Sequence, residues 1–177
     1  MKRISPLSLT LLLFLLAGAC KTPSALQGDI NSGADRAAYT RLAKTLGLEL
    51  SGKEDLRLLE EIAAWIGTPY RYGGAERSGT DCSGFTMAVI KKVYGISLYR
   101  SSADQIKNTS PVKPDELRCG DLLFFKIKGD KISHVGMYIA SGRFVHASVQ
   151  RGVVVNALSE DYYKKYFSSA GRIEGIK

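Results

Sequence analysis

Residues 134–156 read HVGMYIASGRFVHASVQRGVVVN, and this stretch decides the fold class. It holds three apolar runs rich in β-branched and aromatic residues, which predict strands. Ser141-Gly142, between the first two runs, predicts a turn. A similar apolar segment precedes this stretch and another follows it. The expected strands therefore lie at 121–126, 134–140, 143–148 and 152–156, and near 170–174. The C-terminal half is therefore expected to form an antiparallel sheet.

The N-terminal half has a helical period instead. Apolar residues recur at three- and four-residue spacing in three segments, and a Gly follows each segment, as is common at helix ends. Ser51 and Glu54 fit a capping box for the second helix, and Thr80 or Asp81 could cap the third. The helices are expected to begin near Asp35, Ser51 and Cys82 and to end at Gly47, Gly67 and Gly95, with a short turn at 101–107. Helices followed by antiparallel strands predict an α+β fold.

Residues 1–19 have the pattern of a secretory signal peptide. Lys2-Arg3 precedes an apolar run at 7–16, and small residues at 17–19 stand directly before Cys20. A Cys at that place resembles a bacterial lipobox, which implies cleavage before Cys20 and lipidation of its thiol. The alternatives are cleavage near Ala19 without lipidation, or a retained anchor. Residues 20–34 are small and polar and are expected to tether the folded part.

Composition excludes several classes of protein. A chain of 177 residues with 45% hydrophobic and 24% charged residues is typical of one soluble globular domain, and not of a collagen-like, disordered or polytopic membrane chain. Its formal net charge of +8 becomes +6 when Lys2 and Arg3 are removed with residues 1–19. Such a charge suits an anionic partner, such as a wall polymer or a membrane surface, or is simply that of a basic soluble protein. The basic residues are scattered, so no nucleic-acid partner is expected.

Three residues could carry covalent chemistry. Cys82 stands at a predicted helix start, where free N–H groups and the helix dipole favour a thiolate nucleophile. His134 and His146 are the only histidines of the chain, and they lie on neighbouring predicted strands. One imidazole could deprotonate the thiol while the other orients it. A buried structural Cys with unrelated histidines is the plain alternative.

The same three residues could instead bind zinc. Cys82 and His134 are 52 residues apart and the two histidines 12 apart, and neither a CxxC nor an HExxH motif supplies a short chelating pair. A zinc site is therefore the weaker interpretation.

Five short motifs occur in a fixed order along the chain: TPYRYGG at 68–74, TDCSGF at 80–85, GDLLFF at 120–125, SHVGMY at 133–138 and FVHA at 144–147. Together they resemble the NlpC-type family of papain-like bacterial cell-wall endopeptidases, and the likeness covers roughly residues 56–173. The resemblance implies a papain-like α+β fold, with N-terminal helices packed on the antiparallel sheet. By this likeness residues 56–177 form the peptidase domain, and residues 35–55 are a helical extension.

The resemblance also implies roles for individual residues. Cys82 would be the nucleophile, His134 the base and His146 the orienting third residue. Tyr70 would contact the oxyanion or the substrate, and Asp81 and Ser83 would lie in the substrate-binding floor. The implied substrates are peptidoglycan stem peptides or their crosslinks, with no metal or organic cofactor. A monomer is expected, lipid-anchored in the cell envelope at the outer membrane and facing the periplasm.

Cys119 departs from the family pattern, which usually has Pro before Gly120-Asp121. We expect Cys119 to lie apart from the site and to be unpaired, although a disulfide with Cys82 would silence the nucleophile in an oxidising envelope. Two other functions stay open. One is a non-catalytic wall-binding module on the same fold, and the other is a papain-like thiol amidase or acyltransferase.

The strand register offers a geometric test of the triad. A regular two-residue loop at Ser141-Gly142 would set His146 opposite Met137 and place the two imidazoles on opposite faces, because side chains alternate along a strand. If His146 orients His134, a bulge or irregular loop must separate Met137 from His146. Gly142 is then expected to have a positive φ angle, with the two histidines nearly opposite each other.

Overall fold

A computed structural model describes residues 33–176, so the predicted signal peptide, Cys20 and all but the last two residues of the tether lie outside the described residues. Five α-helices are described: α1 (Gly33–Leu46), α2 (Leu56–Trp65), α3 (Cys82–Tyr94), α4 (Ser102–Gln105) and α5 (Asp161–Tyr166). Two short strands pair before α3: β1 (Ala75–Glu76) and β2 (Gly79–Thr80). Six strands follow: β3 (Thr109–Val112), β4 (Leu122–Phe125), β5 (His134–Ala140), β6 (Arg143–Ser148), β7 (Gly152–Ala157) and β8 (Phe167–Ile173).

The fold is α+β, as the sequence predicts. The six strands form one antiparallel sheet in the order β3-β8-β4-β5-β6-β7. The core between α1, α2, α3 and one sheet face includes Leu59, Phe85 and Val135. A smaller cluster on the other face includes Phe125, Phe144 and Tyr163 of α5. Because both faces are covered, all four residues of β4 are buried, which explains why this strand is a continuous apolar run.

The β5–β6 register confirms the predicted irregularity. Met137 pairs with Val145, and the register shifts between Tyr138 and Ala140. Gly142 has a φ angle of 72° and Ser141 one of 50°. Continuing this register sets His146 opposite Gly136, so the two histidines share a face. They meet diagonally, however, and the expectation that they lie nearly opposite is wrong.

Several expected boundaries need correction. Asp55, not Ser51, caps α2, because its carboxylate accepts from the Arg57 N–H. Ser51 and Glu54 do bond to each other, but they close a turn ahead of the helix. Strand β3 was not predicted, since its residues TSPV show no alternation of apolar and polar side chains. Helix α5 was also missed because six residues are too few to show a helical period.

Helix α3 is held close to the loop before it. Asp81 caps the helix, its carboxylate accepting from the Gly84 N–H at 2.7 Å, and Gly95 ends it in the left-handed conformation. A Cβ atom added at Gly84 would lie 2.0 Å from the Gly74 carbonyl oxygen. Gly84 is therefore required for the helix start to pack on the loop that carries Tyr70.

We expect Gly84→Ala to lower the free energy of unfolding by about 1–3 kcal/mol, because the added methyl group meets backbone rather than a movable side chain. Gly33→Ala in α1 is the matched control, since nothing lies within 4 Å of its added Cβ atom and Ala favours a helix. Urea unfolding of both variants measures the difference. Equal unfolding midpoints would contradict the close packing of α3.

Candidate active site

A cavity of about 450 Å³ brings together four residues that the sequence singles out: Tyr70, Cys82, His134 and His146. Cys82 begins α3, His134 begins β5, and His146 lies on β6. The remaining wall comes from the β4–β5 loop, the β6–β7 turn and the start of α5. Asp81 and Ser83, predicted as the substrate floor, are buried beside the cavity and do not line it.

The Cys82 thiol is half-buried rather than exposed. Burial raises the pKa of this thiol, and the Asp81 carboxylate adds to the shift. Backbone N–H groups of Val135 and of the helix start oppose that rise in the pKa without reversing it. The helix start therefore acts in the expected direction, but desolvation outweighs it and the pKa of Cys82 is raised overall.

The two imidazoles are in direct contact. His134 Nε2 lies 2.9 Å from His146 Nδ1, and the rings are nearly perpendicular at 86°. Burial lowers the pKa of His134 to about 3, with a further contribution from His146. Burial also lowers the pKa of His146 to about 4, although its hydrogen bond to Asn156 opposes this. Both rings are therefore neutral at rest, and each has one donor and one acceptor nitrogen.

Sequence reasoning missed the residues that hold His146. Its Nε2 lies 3.1 Å from Asn156 Oδ1 and 3.0 Å from the Tyr163 hydroxyl. Phe144 stacks on the His146 ring, with centroids 5.2 Å apart. Asn156 is buried in the otherwise apolar run VVVNA of β7, and a buried polar residue in such a strand was the available signal.

Asp81 is saturated with hydrogen bonds. Besides the Gly84 N–H, its carboxylate accepts from the Gly73 N–H at 2.9 Å and from the Ser83 hydroxyl at 3.2 Å. Arg100 donates to both carboxylate oxygens, at 2.9 and 2.7 Å. Burial alone would raise the pKa of Asp81, but these bonds together lower it. Arg100 was not predicted, since nothing in its local sequence marks it as the partner of a residue 19 positions away.

Tyr70 is brought beside Cys82 by backbone bonds. The Thr80 N–H donates to the Pro69 carbonyl at 3.0 Å, and the Arg71 N–H donates to the Thr80 carbonyl at 2.9 Å. These bonds align Tyr70 with the strand that leads into α3. Burial raises the pKa of the Tyr70 hydroxyl, and the nearby Cys82 adds to this. The hydroxyl is therefore a protonated donor at neutral pH.

Cys119 lies apart from Cys82, as expected. Both cysteines are free thiols, and Cys119 lines a different cavity of about 590 Å³ with Glu54 and Tyr94. Burial and nearby carboxylates, first that of Glu54, raise the pKa of Cys119 to about 12.

Within the range 33–176, no three His, Cys, Asp or Glu side chains are grouped so that they could hold a metal ion. No helix within it has the length and apolar character needed to cross a membrane.

Comparison with known proteins identifies relatives over most of the described residues. A model of the NlpC/P60 family matches residues 67–172. The Escherichia coli K12 protein named murein DD-endopeptidase MepS/murein LD-carboxypeptidase is 38% identical over 117 residues, which are 66% of this chain and 62% of that relative. The E. coli K12 protein named "Probable endopeptidase NlpC" is 40% identical over 117 residues, covering 66% of this chain and 76% of the relative.

Solved structures show the same likeness. The crystal structure of an NlpC/P60 family protein from Bacillus cereus superposes with a TM-score of 0.62 at 32% identity. The match covers 66% of this chain and 39% of that chain. The chain thus spans less than two thirds of the length of MepS and of this solved protein.

The pKa shifts predict how Cys82 reacts with iodoacetamide. Because burial raises the thiol pKa and lowers that of His134, alkylation of Cys82 is expected to accelerate steadily from about pH 6 to about pH 9. Mass spectrometry of the peptide that contains Cys82 measures the rate, and the peptide with Cys119 is a slow internal control because burial and nearby carboxylates raise the pKa of that thiol to about 12. A fast, pH-independent rate below about pH 7 would instead indicate a preformed thiolate–imidazolium pair.

Proposed function

Because the chain belongs to the NlpC/P60 family, we propose that it is a peptidoglycan endopeptidase that uses Cys82, His134 and His146. It hydrolyses amide bonds in wall stem peptides or their crosslinks. One observation carries the proposal: a thiol at a helix start and two hydrogen-bonded imidazoles line the same open cavity. The relatives named as murein endopeptidases support the same substrate class.

The geometry suits a thiol-based acyl transfer. His134 takes the proton from Cys82 as the sulfur attacks the amide carbonyl, and the oxyanion is stabilised by the N–H groups of the first turn of α3 and by the Tyr70 hydroxyl. His134 then gives that proton to the leaving amine as the C–N bond breaks. Water, deprotonated by His134, hydrolyses the thioester and restores the thiol. No metal or organic cofactor takes part in these steps.

Charges at the rim of the cavity suit an anionic peptide. Lys128 in the β4–β5 loop and Arg151 in the β6–β7 turn line the cavity beside the imidazoles, as does Glu160. Stem peptides carry free carboxylates, which these two cations can pair with. Asp81 and Ser83 would act from beneath, by fixing Arg100 and the Tyr70 loop at the substrate floor.

The two rival functions use the same fold differently. A wall-binding module needs neither the thiol nor the paired imidazoles, so the presence of all three favours catalysis. A thiol amidase or acyltransferase would use the same residues on another bond or with another acceptor. The products released from purified sacculi distinguish these cases.

The proposal includes a lipid anchor on Cys20, with the chain in the cell envelope at the outer membrane, facing the periplasm. Residues 1–19 would be removed and residues 20–34 would tether the domain that begins near residue 56, after the helical extension at 35–55. Its support is the lipobox-like sequence before Cys20. The domain is proposed to act as a monomer.

Cys82→Ala is expected to abolish release of peptides from purified sacculi, by at least about 10⁴-fold, because the covalent path is lost. Since the side chain is half-buried, the substitution should lower the free energy of unfolding by only about 1 kcal/mol. Cys119→Ala is the matched control and should retain activity. Mass spectrometry of the fragments gives both rate and bond position. Full hydrolysis by folded Cys82→Ala protein would refute the assignment of the nucleophile.

Cys20→Ser is expected to move the chain from the membrane fraction to the soluble fraction, or to leave it uncleaved, because Ser cannot take the thioether-linked lipid. Cell fractionation and the mass of the mature N-terminal peptide measure this. The same change at Cys119 should leave the distribution unchanged. An unmodified Cys20 thiol in membrane-extracted native protein would contradict lipidation.

A further inference from the structure

The Asn156 side chain has a fixed orientation behind the two imidazoles. Its Nδ2 lies 2.9 and 2.7 Å from the two carboxylate oxygens of Glu160, and a carboxylate can only accept. Its Oδ1 accepts from the Arg151 guanidinium at 2.9 Å, and a guanidinium can only donate. Both contacts require the same amide orientation. Oδ1 therefore faces His146 as an acceptor.

This orientation determines which nitrogen of each ring holds the proton. His146 Nε2 must carry its hydrogen, since the Asn156 oxygen at 3.1 Å can only accept. The Tyr163 hydroxyl, 3.0 Å from Nε2, can accept from the same N–H while it donates to the Asn156 oxygen at 3.5 Å. In a neutral imidazole, Nδ1 then holds a lone pair, which accepts from His134 Nε2–H at 2.9 Å. His134 is left with a lone pair on Nδ1, the only ring nitrogen still available to the Cys82 thiol.

We propose that Asn156, held by Glu160 and Arg151, is a positioning residue that sets the tautomer of His146 and, through it, of His134. The catalytic part of this inference rests on the proposed function, whereas the tautomer assignment does not. The proton of Cys82 then moves to His134 Nδ1 when the sulfur attacks, while the two Nε2–H bonds stay in place. No other proton has to move before the amide bond breaks.

Glu160 is itself held in place. Besides the two bonds from Asn156, its carboxylate accepts from the Ala157 N–H at 2.8 Å. Burial alone would raise the pKa of Glu160, but these bonds lower it, so the group is a carboxylate at neutral pH. Its negative charge raises the pKa of His146, whereas the positive charge of Arg151 lowers it. The titratable and charged groups that contact His146 or act on its pKa are His134, Arg151, Glu160 and Tyr163.

The tautomers can be observed directly, because the full-length chain contains only two histidines. In a two-bond ¹H–¹⁵N correlation spectrum of the ¹⁵N-labelled chain, both rings are expected as the Nε2–H form. Asn156→Leu removes the amide acceptor and leaves the Tyr163 hydroxyl able to donate to Nε2, so His146 should populate the Nδ1–H form. Asp161→Asn, which removes the exposed carboxylate next to Glu160, is the matched control and should leave both tautomers unchanged. A native Nδ1–H form of His146, or an unchanged tautomer in folded Asn156→Leu protein, overturns the proposal.

Two further variants, Asn156→Asp alone and Asn156→Asp together with Glu160→Gln, test the proposal if Asn156→Leu does not fold. Asn156→Asp places a carboxylate against the His146 Nε2–H and should raise the imidazole pKa by about 1–3 units, measured by the same ring signals across pH. The carboxylate introduced at residue 156 would also repel that of Glu160. Glu160→Gln removes this repulsion, because the Gln amide can donate a hydrogen bond to the new carboxylate. The double variant should therefore regain stability and keep the raised pKa. An unshifted pKa in the folded double variant would show that residue 156 does not control His146.

Kinetics separate positioning from a purely structural role. Because Asn156 is buried behind the imidazoles, Asn156→Leu should lower kcat by about 100-fold or more with little change in KM, as expected for a wrong tautomer. Asp161→Asn should keep the native kcat. Unchanged kcat in folded Asn156→Leu protein refutes the positioning role. If the native chain releases no peptides from sacculi, the proposed function fails while the spectra still decide the tautomer.

Discussion

The buried carboxylate of Asp81 is the interaction on which the site depends. It joins three segments of the chain: the start of α3, the loop at Gly73 and the segment after α3 through Arg100. A buried charge is costly unless it is fully hydrogen-bonded, so these segments cannot separate without leaving the carboxylate unpaired. Cys82, the next residue, is thereby held beside the start of β5. The Asp81 carboxylate is in this way a structural requirement for the position of the proposed nucleophile.

The sheet imposes the second constraint, because side chains alternate between its two faces along each strand. Two imidazoles on adjacent strands can touch only if the register keeps both side chains on one face. The shift between Tyr138 and Ala140 provides this register, and Gly136 leaves room for the Phe144 ring. A Cβ atom at residue 136 would lie 2.7 Å from the Phe144 ring, which stacks on His146. Local irregularity at the turn therefore sets the geometry of the site.

Much of this could be predicted from the sequence, for a physical reason. Helices α1 to α3 and strands β4 to β8 follow from patterns of apolar residues, which are local properties of the chain. The bulge follows from the alternation of side chains once the two histidines are taken to touch. The roles of Arg100 and Asn156 could not be predicted, because they depend on partners that only the folded chain brings near. Asp81 is such a partner for Arg100. The net rise in the pKa of Cys82 could not be predicted for a related reason, since the helix start is visible in the sequence and the burial around it is not.

Burial gives the site a neutral resting state, and this determines what the surrounding groups must do. A thiol and two neutral imidazoles avoid the desolvation cost of a buried ion pair. In the proposed reaction, the charges appear only when the sulfur attacks, and they must be stabilised by groups that are already oriented. Asn156 and Glu160 would act on the imidazole side, and the first turn of α3 on the oxyanion side. In such a site, the orientation of neutral dipoles matters more than a standing charge on the nucleophile.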